Sequence, residues 1–110
     1  MTDTRILSWR PLRRGALLGF AKVAFPSGVV LAEVAIMRGP THAWCAPPTR
    51  PRLHRGELVR KTNGKIQQLD LIEFMSRDIK DRWSHSIIAA LRAQYPDFDS
   101  DDGEGDNYSE

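Results

Sequence analysis

The sequence predicts an α+β protein in which a small twisted antiparallel β-sheet of about five strands packs with a C-terminal α-helix. Two apolar runs flank a Pro-Ser-Gly turn, which is typical of a β-hairpin. Apolar residues then recur at four-residue steps from residue 79 to residue 91, as on one face of a helix. The last fourteen residues contain seven acids and no basic residue, which favours an acidic disordered tail. We therefore expect one domain over residues 1–96 and a tail over residues 97–110.

The first three predicted strands lie in the N-terminal third of the chain. RILSW (residues 5–9) is a short, partly β-branched and aromatic run, and we expect it to end before Pro11. The arms of the hairpin are the apolar runs within residues 16–37. Arms this apolar are expected to be covered on one face and over most of the other, which a partner subunit would do. The residues expected on the exposed face or at an edge are Gly19, Lys22 and Glu33.

Two further strands are predicted on either side of a basic segment. HAWCA (residues 42–46) is the fourth strand, and Pro47 and Pro48 end it. The basic segment follows, with a turn in residues 62–64. KIQQLDLIEF (residues 65–74) is interpreted as another strand, although its apolar residues mix the two periods.

The closing helix has a start signal, an apolar stripe and a stop signal. Ser76 is a suitable N-cap because its hydroxyl can accept from a free amide of the first turn. Asp78 precedes Arg82 by four residues, the favourable order for a helical ion pair. Pro96 disfavours the helical conformation at Tyr95 and so ends the helix. The apolar stripe consists of Ile79, Trp83, Ile87 and Leu91. Trp9 and Trp83 are assigned to the core.

Charge is strongly sorted along the chain although the formal net charge is only +2. Residues 1–96 contain all sixteen lysines and arginines against seven acids, and the tail contains the other seven acids. Such a basic body attracts phosphate backbones or acidic partners. The tail is expected either to compete for the body's basic surface or to recruit a protein partner. A single cysteine and no membrane-length apolar run indicate a soluble, cytoplasmic protein that makes no membrane contact.

No motif in the sequence indicates catalysis or a metal. The glycines lack the spacing of a phosphate loop. The thiol and imidazole candidates, Cys45 with His42, His54 and His85, match no ligand pattern, and Cys45 is interpreted as a small apolar core residue. Glu33, Asp70 and Glu73 stand among apolar residues, as general acids do, but outward-facing strand positions are the favoured interpretation. We expect no enzyme, no metal and no cofactor.

The basic residues of the body form three groups: one near the first turn, one in PPTRPRLHRGELVRKTNGK (residues 47–65) and one at the helix start. Nine of the twelve residues in these groups are arginines, whose planar fork suits phosphate. A basic loop is also often only a solvated loop, and Trp44 is either a stacking surface or a core residue. The predicted nucleic-acid contacts are Arg13, Arg14, Arg50, Arg52, Arg55, Arg60, Lys61, Lys65, Arg77, Lys80 and Arg82.

The order of these features resembles the SpoVG family of small bacterial regulators. The resemblance rests on the Arg-Arg before the hairpin, on Glu33 among aliphatic residues, on the strand ending in PPTRP and on the serine that opens the closing helix. It covers about residues 5–95 and implies a small antiparallel sheet with a C-terminal helix, a homodimer and DNA or RNA binding without catalysis. The family's nucleic-acid contacts correspond here to Arg50, Arg52, Arg77, Lys80 and Arg82. The basic insert at residues 53–65 and the acidic tail depart from the family pattern.

The sequence thus predicts a dimeric, non-catalytic regulator that binds DNA or RNA through an arginine-rich surface. The alternative is a protein-interaction module that docks an acidic partner on the same basic face.

Overall fold

The computed structural model describes residues 4–100, and residues 1–3 and 101–110 lie outside this range. Four antiparallel strands form the main sheet in chain order: β1 (Arg5–Arg14), β2 (Leu17–Ala24), β3 (Val30–Met37) and β4 (Trp44–Ala46). Two small ladders follow, one of β5 (Thr49–Pro51) with β8 (Gln68–Asp70) and one of β6 (Leu53–His54) with β7 (Glu57–Leu58). Helix α1 (Arg77–Gln94) closes the fold. The predicted α+β class with an antiparallel sheet and a C-terminal helix is confirmed, with four strands in the sheet rather than about five.

The predicted hairpin is confirmed as the β2–β3 pair. Its turn is closed by two backbone hydrogen bonds, from Phe25 N to Val29 O (2.9 Å) and from Gly28 N to Phe25 O (2.8 Å). Gly28 has φ 95°, a left-handed conformation that glycine adopts without a steric penalty. Lys22 and Glu33 are exposed, as predicted.

The first strand is longer than predicted because Pro11 does not end it. β1 is an edge strand of the sheet, so the missing N–H of Pro11 costs no ladder hydrogen bond. The register of β1 against β2 shifts between Pro11 and Arg14, which is the kind of irregularity that edge strands tolerate. Opposite Pro11 lies Gly19, which is buried rather than exposed as predicted. A Cβ on Gly19 would lie 2.5 Å from Arg10 O and 2.7 Å from the Trp9 ring, so the close approach of β1 requires glycine.

The strand predicted for residues 65–74 was wrong in length and in partner. Only Gln68–Asp70 is a strand, and it pairs with β5 rather than with the main sheet. Leu71 remains exposed and Ile72 and Phe74 are half-buried without a ladder. The mixed periodicity of this segment reflects a turn toward the helix and not a continuous sheet face.

Helix α1 begins and ends as predicted. Ser76 Oγ accepts from Ile79 N (3.2 Å), and Asp78 pairs with Arg82 (3.2 Å). The C-cap is Tyr95, whose backbone N–H donates to Leu91 O (2.7 Å). In the predicted apolar stripe, the two C-terminal residues, Ile87 and Leu91, are fully buried. Trp83 is half-buried, and Ile79 is 40% exposed. The helix therefore packs tightly only over its second half.

The helix also reaches both edges of the main sheet. On β1, Ile6 N donates to Gln94 Oε1 (3.2 Å); on β4, Cys45 N donates to Ser84 Oγ (2.9 Å). Ser84 and Gln94 are separated by about 15 Å of helix. The two edge strands are separated by three strand spacings, or about 14 Å. The helix thus crosses the strands and supplies one side-chain acceptor to an amide on each edge.

The core lies between this helix and one sheet face, and it includes a residue that was assigned to the tail. The buried apolar residues include Leu18, Val23, Val34, Ile36, Ile87 and Leu91. Phe98 is only 2% exposed and meets the Trp9 ring edge-on at 6.2 Å, while Trp9 itself is half-buried against the core. Arg92 lies over the Phe98 ring at 4.9 Å and pairs with Asp99 at 2.9 Å. The predicted boundary after Pro96 was therefore wrong, because residues 97–100 belong to the folded body. The remainder of the predicted disordered tail lies outside the described residues.

No helix within residues 4–100 combines the length and the apolar character that crossing a bilayer would require.

Candidate nucleic-acid interface

Residues 49–70 fold into a small substructure of their own, which we call the basic arm. Three backbone hydrogen bonds form a closed ring at its centre: Arg52 N to Gln67 O (2.8 Å), Gln67 N to Val59 O (2.8 Å) and Val59 N to Arg52 O (3.0 Å). The β5–β8 ladder, the β6–β7 hairpin and a second hairpin extend from this ring. Only Val59, Ile66 and Gln67 are half-buried, and the rest of the arm is exposed. The segment predicted as a basic loop is therefore an ordered set of short ladders without a core.

The first hairpin of the basic arm presents an arginine at its tip. Arg55 and Gly56 form the two-residue turn between β6 and β7, with φ 52° and 81°. Positive φ at both central positions is the requirement of a type I′ turn, where Asn-Gly is the favoured pair. Arg55 is the one non-glycine residue with positive φ among residues 4–100. Arginine is less suited to this conformation than asparagine, so the turn carries a steric cost at Arg55.

The second hairpin confirms the turn predicted at residues 62–64. Lys61 N donates to Lys65 O (2.7 Å), Gly64 N donates to Lys61 O (2.9 Å), and Asn63 Oδ1 accepts from Lys65 N (3.0 Å). Arg60 donates from Nη1 to Gly64 O (3.0 Å) and so folds back over the turn. The backbone bonds hold Lys61 and Lys65 side by side at the base of this hairpin.

The other predicted contacts lie at the helix start and at the β1–β2 turn. Arg77, Lys80 and Arg82 are in the first two turns of α1. Arg13 and Arg14 end β1, and the register places Arg14, Leu17, Met37 and Trp44 in one cross-strand row. Arg14 and Trp44 are therefore about 14 Å apart at the same end of the sheet.

All eleven predicted contact residues are exposed. Among the described residues, Arg82 alone of these eleven forms an ion pair, and Arg60 bonds a carbonyl. The nine whose charges have no protein partner in this part of the chain are Arg13, Arg14, Arg50, Arg52, Arg55, Lys61, Lys65, Arg77 and Lys80. Two arginines elsewhere differ: Arg10 pairs with Glu33 (2.8 Å) and Arg92 pairs with Asp99, whereas Arg5 and Lys22 are exposed without an ion pair among the described residues. The unsatisfied positive charge is thus concentrated on the predicted groups.

An open cleft of about 720 Å³ joins the base of the basic arm to the helix start. Its walls combine aromatic and aliphatic side chains with both signs of charge. They include Trp44, Pro47, Asp70, Ile72, Glu73, Phe74, Arg77, Lys80, Asp81 and Ser84. Trp44 is 41% exposed, so of the two predicted positions, core and surface, it occupies the surface one. The cleft was not predicted because its walls come from separate parts of the chain; the one usable signal was Trp44, three residues before Pro47.

The residues considered for catalysis or metal binding are dispersed. Glu33 is engaged with Arg10, whereas Asp70 and Glu73 are exposed on the open cleft. The rings of His42 and His85 lie 6.3 Å apart, and His54 is in the basic arm. Over residues 4–100 no three histidine, cysteine or acidic side chains come close enough together to ligate a metal.

Cys45 is a core residue, as interpreted from the sequence. It is 1% exposed, and its thiol donates to Ser84 O (3.7 Å). Burial raises the pKa of Cys45 from 9.0 to about 12, and a hydrogen bond with the Ser84 side chain opposes only part of this rise. A protonated, enclosed thiol is neither a nucleophile nor a metal ligand.

A comparison of this chain with protein-family models, curated proteins and solved structures found no match.

Proposed function

We propose that the chain is a non-catalytic nucleic-acid-binding regulator that contacts phosphates through the basic arm and the start of α1. The observation that supports this most is the set of nine exposed cationic side chains without a partner among the described residues. Six of the nine are arginines, which are less strongly hydrated than lysine and donate in pairs to phosphate oxygens. The short ladders of the arm present five of these nine groups without requiring a binding cleft, as backbone recognition does.

The proposal is tested by fluorescence anisotropy with single-stranded DNA, duplex DNA and RNA across a salt series. The logarithm of affinity should fall linearly with the logarithm of salt concentration, with a slope that corresponds to roughly four to eight neutralised phosphates per dimer. Salt-independent binding to all three ligands, or no binding, would exclude the proposal.

A pair of double variants locates the surface. Arg50→Gln with Arg52→Gln removes two charges from the arm of each protomer, and it should lower affinity about tenfold and reduce the salt slope by about two phosphates per protomer. Arg5→Gln with Lys22→Gln removes two exposed charges from the main sheet and serves as the control with the same net charge. An equal loss in both variants would indicate attraction by net charge alone and would contradict a contact surface on the arm.

The SpoVG resemblance stays a proposal, and with it the homodimer and the cytoplasmic location. It is supported by the four-stranded sheet with its C-terminal helix and by the position of Arg77 and Lys80 at the helix start. Sedimentation equilibrium of the full chain measures the oligomeric state directly, and a monomer at all concentrations would contradict the dimer.

The second candidate is a protein-interaction module, and the exposed leucines of the arm favour it. Leu53 and Leu58 form a cross-strand pair and are 52% and 46% exposed, and Leu69 of β8 is also exposed. Such apolar side chains between arginines suit an amphipathic acidic partner better than a phosphate backbone. Affinity capture with and without nuclease separates the two: a protein partner remains after nuclease treatment, whereas proteins held through nucleic acid are lost.

A further inference from the structure

We propose that the cleft beside Trp44 accepts an unpaired nucleobase, so that the ligand of this chain is a single strand. This inference rests on the proposed function and goes further, because it names the class of nucleic acid and the residue on which the base would stack.

Trp44 is held in place on one side and open on the other. It begins β4 and pairs with Met37. The turn before it is closed by a hydrogen bond from Gly39 N to His42 O (3.0 Å). A Cβ on Gly39 would overlap the His42 carbonyl and would lie 3.2 Å from Trp44 Cδ1, so the indole packs against a position that only glycine leaves free. An indole that is fixed yet 41% exposed is pre-organised for stacking and loses little conformational entropy on binding.

The floor of the cleft is also ordered. Phe74 packs on Trp83 with ring centroids 5.1 Å apart, and Trp83 packs against the core. A volume of about 720 Å³ lies within the range of small-molecule sites. The cleft can therefore hold a base with its sugar, but a base inside a duplex could not reach it without leaving the stack.

The charges of the cleft favour a base inside it and phosphates beside it. Arg77 and Lys80 lie three residues apart on one helix face and have no ion pair within the described chain. Asp70, Glu73 and Asp81 line the same cleft and likewise pair with neither cation. These carboxylates repel a phosphate that enters the cleft but accept hydrogen bonds from a neutral base. Arg14, in the same cross-strand row as Trp44, provides a phosphate contact on the other side of the indole.

Carboxylate acceptors also predict which bases bind. Cytosine, adenine and guanine have an exocyclic amino group that donates to a carboxylate, whereas thymine and uracil have none. We therefore infer a preference for strands of cytosine, adenine or guanine over strands of thymine or uracil.

The test measures binding of oligo-dC, oligo-dA and oligo-dT of equal length, and of a duplex, by anisotropy and by tryptophan fluorescence. Oligo-dC should bind about fivefold more tightly than oligo-dT.

Trp44→Ala should weaken single-strand binding about tenfold while leaving the salt slope unchanged, because stacking neutralises no phosphate. Trp44→Phe keeps a stacking ring and should show an intermediate loss together with loss of the fluorescence quenching. The double variant Asp70→Ala with Glu73→Ala should bind oligo-dC and oligo-dT with equal affinity.

Tyr95→Ala is the matched control. Tyr95 is an aromatic residue of similar exposure, 37%, at the other end of α1, and it caps the helix through its backbone. Its replacement should leave single-strand binding unchanged.

The outcomes separate this inference from the proposed function. Salt-dependent binding that is as tight for duplex as for single strands, with the Trp44→Ala variant unaffected, overturns the base-binding cleft and leaves phosphate contact by the arm intact. Absence of binding to any nucleic acid excludes the proposed function, and the inference with it. Thermal unfolding of each variant shows whether a loss reflects the site or the fold.

Discussion

At the scale of single residues, the environment around each side chain decides what it does. Cys45 of β4 is unreactive because its thiol is buried against α1. Arginine behaves in two ways in this chain: Arg10 and Arg92 are engaged with carboxylates, whereas Arg50, Arg52 and Arg55 are not. Exposure alone does not distinguish these roles, because the Arg10 side chain is itself 64% exposed. The arm arginines differ from these two in having no ion-pair partner within residues 4–100, and this is one reason why we propose them as phosphate contacts.

The pH dependence of stability should report the burial of Cys45. Its pKa is raised from 9.0 to about 12, so below pH 9 the thiol is protonated in both the folded and the unfolded state. As pH rises above 9, the unfolded state ionises and the folded state does not. The free energy of unfolding should therefore fall, by at most about 1.4 kcal/mol per pH unit.

Chemical denaturation of the wild type and of Cys45→Ala across this pH range isolates the effect of the thiol. The wild type should lose stability relative to the variant as pH rises above 9, while lysine and tyrosine titrations cancel in the difference. A difference that stays constant with pH would mean that the thiol is not enclosed.

At the scale of elements, the chain contains one well-packed unit and one that is not. The main sheet and α1 share a buried core, whereas the basic arm is held mainly by backbone hydrogen bonds and exposed cross-strand pairs. Ladders of two or three residues with little buried apolar area are only marginally stable alone. We expect the arm amides to exchange with solvent faster than those of β2 and β3.

The Arg55 turn gives a prediction in which stability and binding change in opposite directions. Arg55→Asn places a favoured residue at the first left-handed position of the β6–β7 turn and should stabilise the hairpin by a few tenths of a kcal/mol or more. It also removes a cationic group from the tip and should weaken nucleic-acid binding severalfold.

Thermal unfolding and anisotropy on the same Arg55→Asn preparation measure both effects. Arg55→Lys is the control that keeps the charge and should retain most of the affinity. Unchanged affinity in the asparagine variant would show that the tip lies away from the ligand.

The elements also differ in how far the sequence determines them. The hairpin at Ser27-Gly28 and the Ser76 cap depend on neighbouring residues, and both were predictable. The basic arm depends on the ring formed by Arg52, Val59 and Gln67, which are distant in sequence and carry no turn or periodicity signal. The cleft has the same origin, because Trp44 and Arg77 come together only through packing. The register that continues β1 past Pro11 required knowledge that β1 is an edge strand.

At the scale of the whole molecule, the folded body extends to Ser100. All the lysines and arginines lie in this body, and the residues after it carry only acidic charge. Phe98 is anchored on Trp9, so composition misplaced the boundary: one aromatic residue among acids was enough to attach the segment to the core. The segment 101–110, which holds five of the fourteen acids, lies outside the described residues. Its charge opposes that of the basic arm.

Removal of residues 101–110 should tighten nucleic-acid binding at low salt, because the acidic segment no longer competes for the cationic groups. The gain should shrink as salt screens the competition. The cut belongs after Ser100, since a cut after Pro96 would also remove Phe98 and open the core.

Anisotropy of the truncated chain, compared with a full-length variant whose five acids after Ser100 are replaced by their amides, separates charge from length. Both variants should gain affinity equally. Unchanged affinity in both would leave the segment with a solubility or partner-recruiting role.

The hydrogen bonds from Ile6 to Gln94 and from Cys45 to Ser84 have a consequence for the order of events during synthesis. The four strands leave the ribosome before the helix that caps an amide on each of their edges. At a translation rate of roughly 5–20 residues per second, the helix is synthesised a few seconds after the sheet. Until then, the amides of both edge strands have no partner from the helix. During that interval neighbouring nascent chains on one message can pair edge to edge. We therefore expect misassembly of nascent chains to increase when translation of the helical segment is slowed.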